Sequence, residues 1–269
     1  MKKILFRILI LSLISLFLIS GEIMSKENAY PVTITILYDN NKYNPALETA
    51  WGFSCLIKGL EKTILFDTGG EGDILLSNME KLDIDPQQIE IVVLSHIHYD
   101  HVGGLFTLLE KNHNLIVYLP ESFPENFKDK VKRYGAEVIE VDNFVGICQN
   151  VYSTGQLGIW IKEESLIIKI DKGLIVITGC AHPGIVNIVK TTKELLDIPI
   201  YLVMGGFHLG GTSKKKIDKI INEFKKEGMK RVAPCHCSGD LAREEFKKAY
   251  GDNFILAGVG KRFEIPFKK

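Results

Sequence analysis

The chain has 269 residues, of which 46% are hydrophobic and 25% are charged, fractions close to those of ordinary globular proteins. This composition excludes a disordered chain, a collagen-like chain and a protein with several membrane spans. The 33 basic and 33 acidic residues cancel, so no excess of positive charge favours a nucleic-acid partner. The seven histidines are more informative, because six of them fall in four short motifs.

The first 21 residues have the pattern of an export signal. Lys2, Lys3 and Arg7 precede a run of apolar and serine residues from Ile8 to Ile19. Such a run is short for crossing a bilayer, which favours a secretory signal over a permanent helix. The cleavage site is poor, however, so an uncleaved membrane anchor is the alternative. We expect an exported protein, periplasmic or extracellular, or one that its N-terminus anchors to the membrane.

Residues 30–269 alternate predicted strands and helices without a linker that would separate domains. Two-residue alternation indicates strands, and apolar residues three and four positions apart indicate helices. In chain order we predict strands Pro31–Tyr38, Phe53–Ile57 and Thr63–Phe66, helix Ile74–Leu82, strand Ile89–Leu94, a helix after Gly104, strand Leu115–Leu119, helix Phe123–Tyr134, strands Glu137–Val141, Gly158–Lys162, Leu166–Ile170 and Leu174–Thr178, a helix from Pro183, strand Ile200–Met204, a helix around Ile217–Phe224, strand Arg231–Pro234, helix Gly239–Tyr250 and two short final strands. We therefore expect one layered α/β domain of two similar halves, with strands inside and helices outside.

The five cysteines do not have the pattern of a disulfide framework. Their number is odd, and Cys235 and Cys237 are too close in sequence to pair easily with each other. Cys55 and Cys148 are interpreted as small buried apolar residues.

A dense cluster of metal-ligand residues follows the predicted strand Ile89–Leu94. It contains His96, His98, Asp100 and His101 and precedes two glycines. Burying so many polar groups without partners would cost several kcal/mol, so a routine core is excluded. A loop at the end of a strand can direct His96 and His98 to one cation and Asp100 and His101 to a second position. Nitrogen and oxygen ligands of this kind suit zinc best, with iron or manganese as alternatives.

The pattern His-x-His-x-Asp-His resembles the signature of the metallo-β-lactamase superfamily. The upstream segment Phe66–Gly69 resembles the strand-end Asp-x-Gly of the same family, and the resemblance extends over residues 30–265. It implies an αββα sandwich with a metal site at one edge of the two sheets. It also implies that Asp67 is a structural residue, which orients the metal-binding loop.

Three later motifs each place one histidine at the end of a predicted strand. They are Thr178–Ile185, Gly205–Leu209 and Pro234–Gly239, and they contain His182, His208 and His236 respectively. Their combination resembles a subgroup of metal-dependent hydrolases. Some members of this subgroup are named 7,8-dihydropterin-6-methyl-4-(β-D-ribofuranosyl)aminobenzene 5′-phosphate synthase.

The sequence departs from the family pattern at two positions. The stretch Ser153–Gly158 lacks the histidine that a two-metal member carries there, and Cys180 stands where a bridging aspartate is typical. We interpret His182 as the substitute ligand and Cys180 as a possible further ligand. His236 fits the late ligand position. One or two divalent ions are therefore expected.

The remaining candidates are less specific. His208 is a candidate catalytic residue, as a proton donor or a substrate contact, or alternatively a distal ligand. We interpret His113 as a solvated turn residue and assign no function to Trp51. Lys214–Lys216 is interpreted as a solvated face, with contact to a phosphate as the alternative.

The resemblance implies a hydrolase in which a metal-activated water attacks an ester or phosphate group of a small molecule. A phosphorylated small molecule is one option for this substrate. Asp100 would orient that water or take its proton, and His208 would stabilise negative charge on the substrate. No nucleic-acid partner is expected. Contact with a membrane is expected only through the N-terminal segment, if that segment is not cleaved.

Three alternatives are weighed against hydrolysis. A dihydropterin-methyl transfer that releases pyrophosphate fits the subgroup but fits an export signal poorly. A metal or ligand binder without activity is favoured only by the missing aspartate. Redox chemistry on iron is weaker, since the chain has no room for an electron-transfer module.

Overall fold

Two β-sheets face each other at the centre of the molecule, and helices cover their outer faces. The computed structural model describes residues 31–266. The strands are β1 (Val32–Asp39), β2 (Phe53–Lys58), β3 (Ile64–Phe66), β4 (Ile91–Val93), β5 (Ile116–Pro120), β6 (Glu137–Val141), β7 (Val145–Cys148), β8 (Val151–Ser153), β9 (Leu166–Ile170), β10 (Gly173–Thr178), β11 (Ile200–Gly206), β12 (Arg231–Cys235) and β13 (Arg262–Ile265). The α-helices are α1 (Gly72–Lys81), α2 (Tyr99–Val102), α3 (Leu105–Lys111), α4 (Glu125–Arg133), α5 (Ile185–Leu196), α6 (Lys214–Lys226) and α7 (Asp240–Tyr250).

The first sheet has seven strands in the order β13-β1-β2-β3-β4-β5-β6, and the second has six in the order β12-β11-β10-β9-β8-β7. Strands β3 to β6 run parallel to one another, as do β10, β11 and β12. Parallel strands end at the same edge of a sheet, so the loops after β4, β10, β11 and β12 are gathered near one another. These loops carry the four histidine motifs.

Alternation along the strands divides the apolar side chains among three cores. On β3, Phe66 points into the space between the sheets, whereas the adjacent Leu65 packs under helices α1 and α3. On β10, Ile177 points into the same central space, whereas Val176 packs under α5, α6 and α7. The result is the expected αββα layering.

The helices present the apolar faces that their spacing predicts. In α6 the side chains of Ile217, Ile221 and Phe224 are buried, whereas Lys219 between them is exposed. The helix predicted to begin at Pro183 begins two residues later, at Ile185. Its N-cap residue is Gly184, which has a positive φ of 92°. All five cysteines are free thiols.

The structure differs from the prediction in three places: one predicted strand is absent, two strands are additional, and the end of the chain has one strand instead of two. The segment 158–162, predicted as a strand, is an exposed loop, because its flanks Leu157 and Glu163 bridge each other and close it off. Strands β7 and β8 lie in a stretch whose glycines obscured the alternation. The chain closes with one strand, β13, instead of the two expected, and Phe254 and Val259 before it form only isolated bridges.

The predicted export signal in residues 1–21 lies outside the described residues. Within residues 31–266, no helix has both the length and the apolar character needed to cross a membrane.

Candidate metal centre

Asp67 holds the loop that follows β4. Its carboxylate is fully buried and accepts hydrogen bonds from Ser95 N at 2.7 Å, from Ser95 Oγ at 2.8 Å and from His101 Nδ1 at 2.7 Å. Because the Ser95 hydroxyl donates to Asp67, His96 Nδ1 is assigned as the donor to Ser95 Oγ, at 2.9 Å. Asp67 and Ser95 thus fix both imidazoles so that their Nε2 atoms face away from the loop.

The first ligand group consists of His96, His98 and His182, whose ligand atoms all lie within 4.8 Å of one another. Their ring centroids are separated by 4.6 to 4.8 Å. Burial lowers the pKa of His96 well below its usual range and also lowers the pKa of His98, which favours neutral imidazoles. Neutral imidazole is the form that binds metal.

Glu163 fixes the third member of the first ligand group. Its fully buried carboxylate accepts from the backbone N–H of Cys180 at 2.9 Å and of Ala181 at 2.7 Å through Oε1, and from His182 N and His182 Nδ1, both at 2.8 Å, through Oε2. Burial acts to raise the pKa of Glu163, but the hydrogen bonds from His182 and Ala181 and the nearby imidazole of His96 lower it to about 2. With Nδ1–H donated to Glu163, His182 keeps Nε2 as its free ligand atom.

The second ligand group consists of Asp100, His101, Cys180 and His236. Cys180 Sγ lies 3.2 Å from His101 Nε2 and 3.3 Å from His236 Nε2, and these two nitrogens are 3.2 Å apart. Asp100 Oδ2 lies 3.3 Å from His236 Nε2. Burial lowers the pKa of His101 to about 3, whereas the hydrogen bond with His236 outweighs burial and holds the pKa of Asp100 below its usual range.

The segment after β1 orients His236. Asp39 Oδ2 accepts from His236 N at 3.2 Å, and Asn40 Oδ1 lies 3.1 Å from His236 Nδ1. Asn40 also donates through Nδ2 to the carbonyl oxygen of His236 at 3.3 Å. These contacts hold His236 in a left-handed conformation with φ of 48° and leave its Nε2 to the second ligand group. The ring of Trp51, which is 60% exposed, lies 4.9 Å from the His236 ring.

His208 lies at the open side of the centre. Its exposed ring is 4.5 Å from the ring of His182. Its ligand atom also lies within 4.8 Å of the sulfur atoms of Cys180 and Cys237.

The structure distributes the expected ligands differently from the sequence-based interpretation at one point. His182 does not replace the missing aspartate; it supplies the third imidazole beside His96 and His98. Cys180 occupies the place of the aspartate, beside His101 and His236. His113 is exposed in the turn before β5.

Sequence reasoning missed Glu163, Asp39 and Asn40. Each lies in a loop or at a strand end and belongs to no recognised motif. The one available signal was the pair Glu163–Glu164 directly before the apolar strand β9, where two buried carboxylates demand partners.

The two groups have the character of metal sites. Within residues 31–266, His96 Nε2 is buried without a hydrogen-bond partner, although it faces His98 and His182. A buried nitrogen of this kind is costly unless something binds it. Three imidazoles in one group, and two imidazoles, a carboxylate and a thiol in the other, match the donors that zinc and similar divalent cations take.

Comparisons with known proteins agree with this geometry. The 7,8-dihydropterin-6-methyl-4-(β-D-ribofuranosyl)-aminobenzene-5′-phosphate synthase of Methanocaldococcus jannaschii is 28% identical over an alignment that covers 84% of this chain and 94% of that protein. A solved metal-dependent hydrolase of the β-lactamase superfamily is 29% identical, with a TM-score of 0.76, covering 87% of this chain and 99% of that chain. The metallo-β-lactamase fold protein YhfI from Bacillus subtilis, 16% identical with a TM-score of 0.66 over 87% of this chain and 99% of its own, shares the fold.

The sequence profile of the metallo-β-lactamase superfamily matches residues 52–189, which include the loop after β4 and the turn at Cys180–His182. Profile, fold and ligand geometry agree, and the resemblance drawn from the His-x-His-x-Asp-His pattern is confirmed: the chain belongs to the metallo-β-lactamase superfamily.

Proposed function

We propose that this protein is a metal-dependent hydrolase that cleaves an ester or phosphate bond of a small molecule. The observation that carries the proposal is the pair of adjoining ligand groups at one edge of the two sheets. Divalent cations held there, zinc first among them, supply Lewis acidity and make water nucleophilic near neutral pH. The similar solved protein that is described as a metal-dependent hydrolase supports this choice.

The residues of this chain have separate tasks in the proposed reaction. Asp100 is the one carboxylate in the two ligand groups, and its side chain is 19% exposed, so it can accept a proton from the attacking water. Asp67 and Glu163 keep His101 and His182 in the tautomer that leaves Nε2 free. The buried sulfur of Cys180 is one of the four ligand atoms of the second ligand group.

A dihydropterin-methyl transfer is the second candidate, and the named relative from Methanocaldococcus jannaschii favours it. In that reaction a carbon–nitrogen bond forms between the pterin methyl group and an aniline nitrogen, while the bond from that carbon to diphosphate breaks. The aniline proton then passes to a base, for which Asp100 is again the candidate. The N-terminus of α5, which begins three residues after His182, offers free N–H groups to the diphosphate.

Turnover assays with zinc-loaded full-length protein separate the two candidates. Hydrolysis predicts product release from a phosphodiester, lactone or thioester without any acceptor. Transfer predicts pyrophosphate release from the pterin diphosphate only when the aniline is present. Metal-loaded protein that turns over none of these compounds would contradict both candidates and favour a binding protein.

Metal stoichiometry tests the assignment of ligands directly. Wild-type protein should bind one divalent ion in each of the two ligand groups. His182→Ala should lose the ion of the first ligand group, and Cys180→Ala should weaken the ion of the second. If His182→Ala keeps both ions with unchanged affinity, His182 is not a ligand.

A further inference from the structure

We propose that Cys180, His208 and Cys237 form a third cation position, rich in sulfur, beside the two ligand groups. Their ligand atoms all lie within 4.8 Å of one another. The three residues follow β10, β11 and β12, the parallel strands of the second sheet, so their convergence is built into the topology. This position goes beyond the proposed function, which uses the first and second ligand groups alone.

The backbone packs closely around the two sulfur atoms. Cys237 Sγ lies 3.6 Å from the carbonyl oxygen of Cys180, and both side chains are buried, with exposed fractions of 7% and 4%. Gly206 lies beside them, and a Cβ atom there would be 2.7 Å from Cys237 Sγ. Only glycine leaves that sulfur unobstructed. His208 is exposed, so the cluster is open to solvent on its imidazole side.

Hydrogen bonds between two loops hold His208 and Cys237 in place. Phe207 N donates to Ser238 Oγ at 3.1 Å, and Gly210 N donates to the carbonyl oxygen of Cys237 at 3.1 Å. Between these two bonds His208 has a positive φ of 52°, a conformation that side chains disfavour. Such strain persists where the surrounding structure imposes it, and it is common at binding sites.

The donor set determines which cation would bind. Two thiolates and one imidazole are soft ligands, which select zinc, cadmium or copper(I) over magnesium, calcium or manganese. Binding a divalent cation would release the thiol protons of Cys180 and Cys237 to solvent, and the two thiolate charges would neutralise the cation. Cys180 also belongs to the second ligand group, and a thiolate sulfur has enough lone pairs to bridge two cations.

Cadmium-113 is the probe for the test, because its coupling to protons identifies its ligands. Reduced full-length protein is titrated with cadmium, and proton–cadmium correlations are recorded. We expect one cadmium resonance that correlates with the β-protons of both Cys180 and Cys237 and with the ring of His208. A separate resonance should correlate only with histidine rings of the first ligand group, and another should correlate with Cys180 and the rings of His101 and His236. The absence of any cadmium resonance that correlates with the protons of Cys237 would overturn the proposal while leaving the proposed function intact.

Matched variants give an independent readout. Cys237→Ser should reduce the sulfur-to-cadmium absorbance by about half, because one of two thiolates is lost. Cys235→Ala is the control: Cys235 flanks His236 on the other side, lies in the core between the sheets and belongs to none of the three clusters. Its absorbance should match wild type.

His208→Ala separates ligand from proton donor. If His208 is a ligand, the variant should bind the sulfur-ligated cadmium at least about tenfold more weakly. Unchanged cadmium affinity in His208→Ala, or unchanged absorbance in Cys237→Ser, would overturn the third position.

Discussion

At the scale of single residues, Glu163 carries the sharpest prediction. In Glu163→Gln one carboxylate oxygen becomes an NH₂ group, which faces N–H donors on either side. If the NH₂ group faces His182, the imidazole must move its proton to Nε2, which removes the ligand atom; if it faces Cys180 and Ala181, it displaces the turn that carries His182. Cation affinity of the first ligand group should fall about 10- to 100-fold, measured by competition with a chromophoric chelator.

The adjacent buried carboxylate provides the control for this prediction. Glu164 accepts a hydrogen bond from Ser153 Oγ, whereas the hydrogen bonds from the turn at Cys180–His182 go to Glu163. Glu164→Gln should leave cation affinity at the wild-type value. An equal loss in both variants would mean that any change at this buried pair disturbs the centre, and Glu163 would have no specific role.

Glu164 itself predicts a pH dependence of stability. Burial raises its pKa from 4.5 to about 8, so the folded protein keeps it neutral while the unfolded chain ionises. Its contribution is therefore fully favourable below pH 4.5 and is lost as the pH rises towards 8, at no more than about 1.4 kcal/mol per pH unit. Glu164→Gln should gain stability over wild type as the pH increases. Urea unfolding of both proteins in the presence of a chelator, at about pH 5 and about pH 8, measures this gain. A difference in unfolding free energy between Glu164→Gln and wild type that does not change with pH would contradict the prediction.

At the scale of secondary-structure elements, the ends of β10 and β11 pack too closely for a side chain. A Cβ atom on Gly206 would lie 2.2 Å from the carbonyl oxygen of Gly179. Gly206→Ala should therefore destabilise the protein by about 2 kcal/mol or more and weaken cation binding. Gly146→Ala in β7, whose nearest neighbour is 4.0 Å away, should cost less than about 1 kcal/mol. Equal unfolding free energies for the two variants would refute this reading of the strand ends.

Periodicity in the sequence predicts most elements but not all. Buried strands such as β4 and β10, and helices such as α6, follow directly from apolar spacing. The segment 158–162 fails because Ile159, Trp160 and Ile161 form a short apolar run, which is typical of a strand, yet Ile159 and Trp160 are 85% and 96% exposed. Nothing in the local pattern distinguishes an exposed apolar loop from a buried strand; only the bridge between its flanks does.

The metal centre is likewise predictable only in part from the sequence. The four histidine motifs could be recognised because each follows the end of a predicted strand. The assignment of Cys180 and His182 to different ligand groups could not be predicted, because it depends on the conformation of the turn at Ala181 between them. Ala181 has a positive φ of 62°, held by hydrogen bonds from its turn to Glu163. That conformation is set by a contact 18 residues away in sequence and cannot be deduced from the motif.

At the scale of the whole molecule, the two ligand groups join the two sheets. The loop after β4 comes from the first sheet, whereas Cys180, His182 and His236 come from the second. Bound metal should therefore stabilise the entire fold by about 4 kcal/mol at a thousandfold excess over the dissociation constant, and raise Tm by about 10 °C. Thermal unfolding of chelator-treated protein with and without added zinc measures the shift.

Variants from each sheet test this coupling. His96→Ala and His236→Ala should each show a much smaller zinc-dependent shift in Tm than wild type. His113→Ala, a change in an exposed turn, should show the full shift. A full shift in His236→Ala would mean that the second sheet contributes no ligand through β12.

The chain contains two tryptophans, Trp51 and Trp160. The ring of Trp51 lies 4.9 Å from the ring of His236, whereas the side chain of Trp160 is 96% exposed. Trp51 is thus a natural optical reporter beside the second ligand group. Trp160→Phe leaves the emission of Trp51 alone, so the filling of the second group can be followed in real time by fluorescence, without a label.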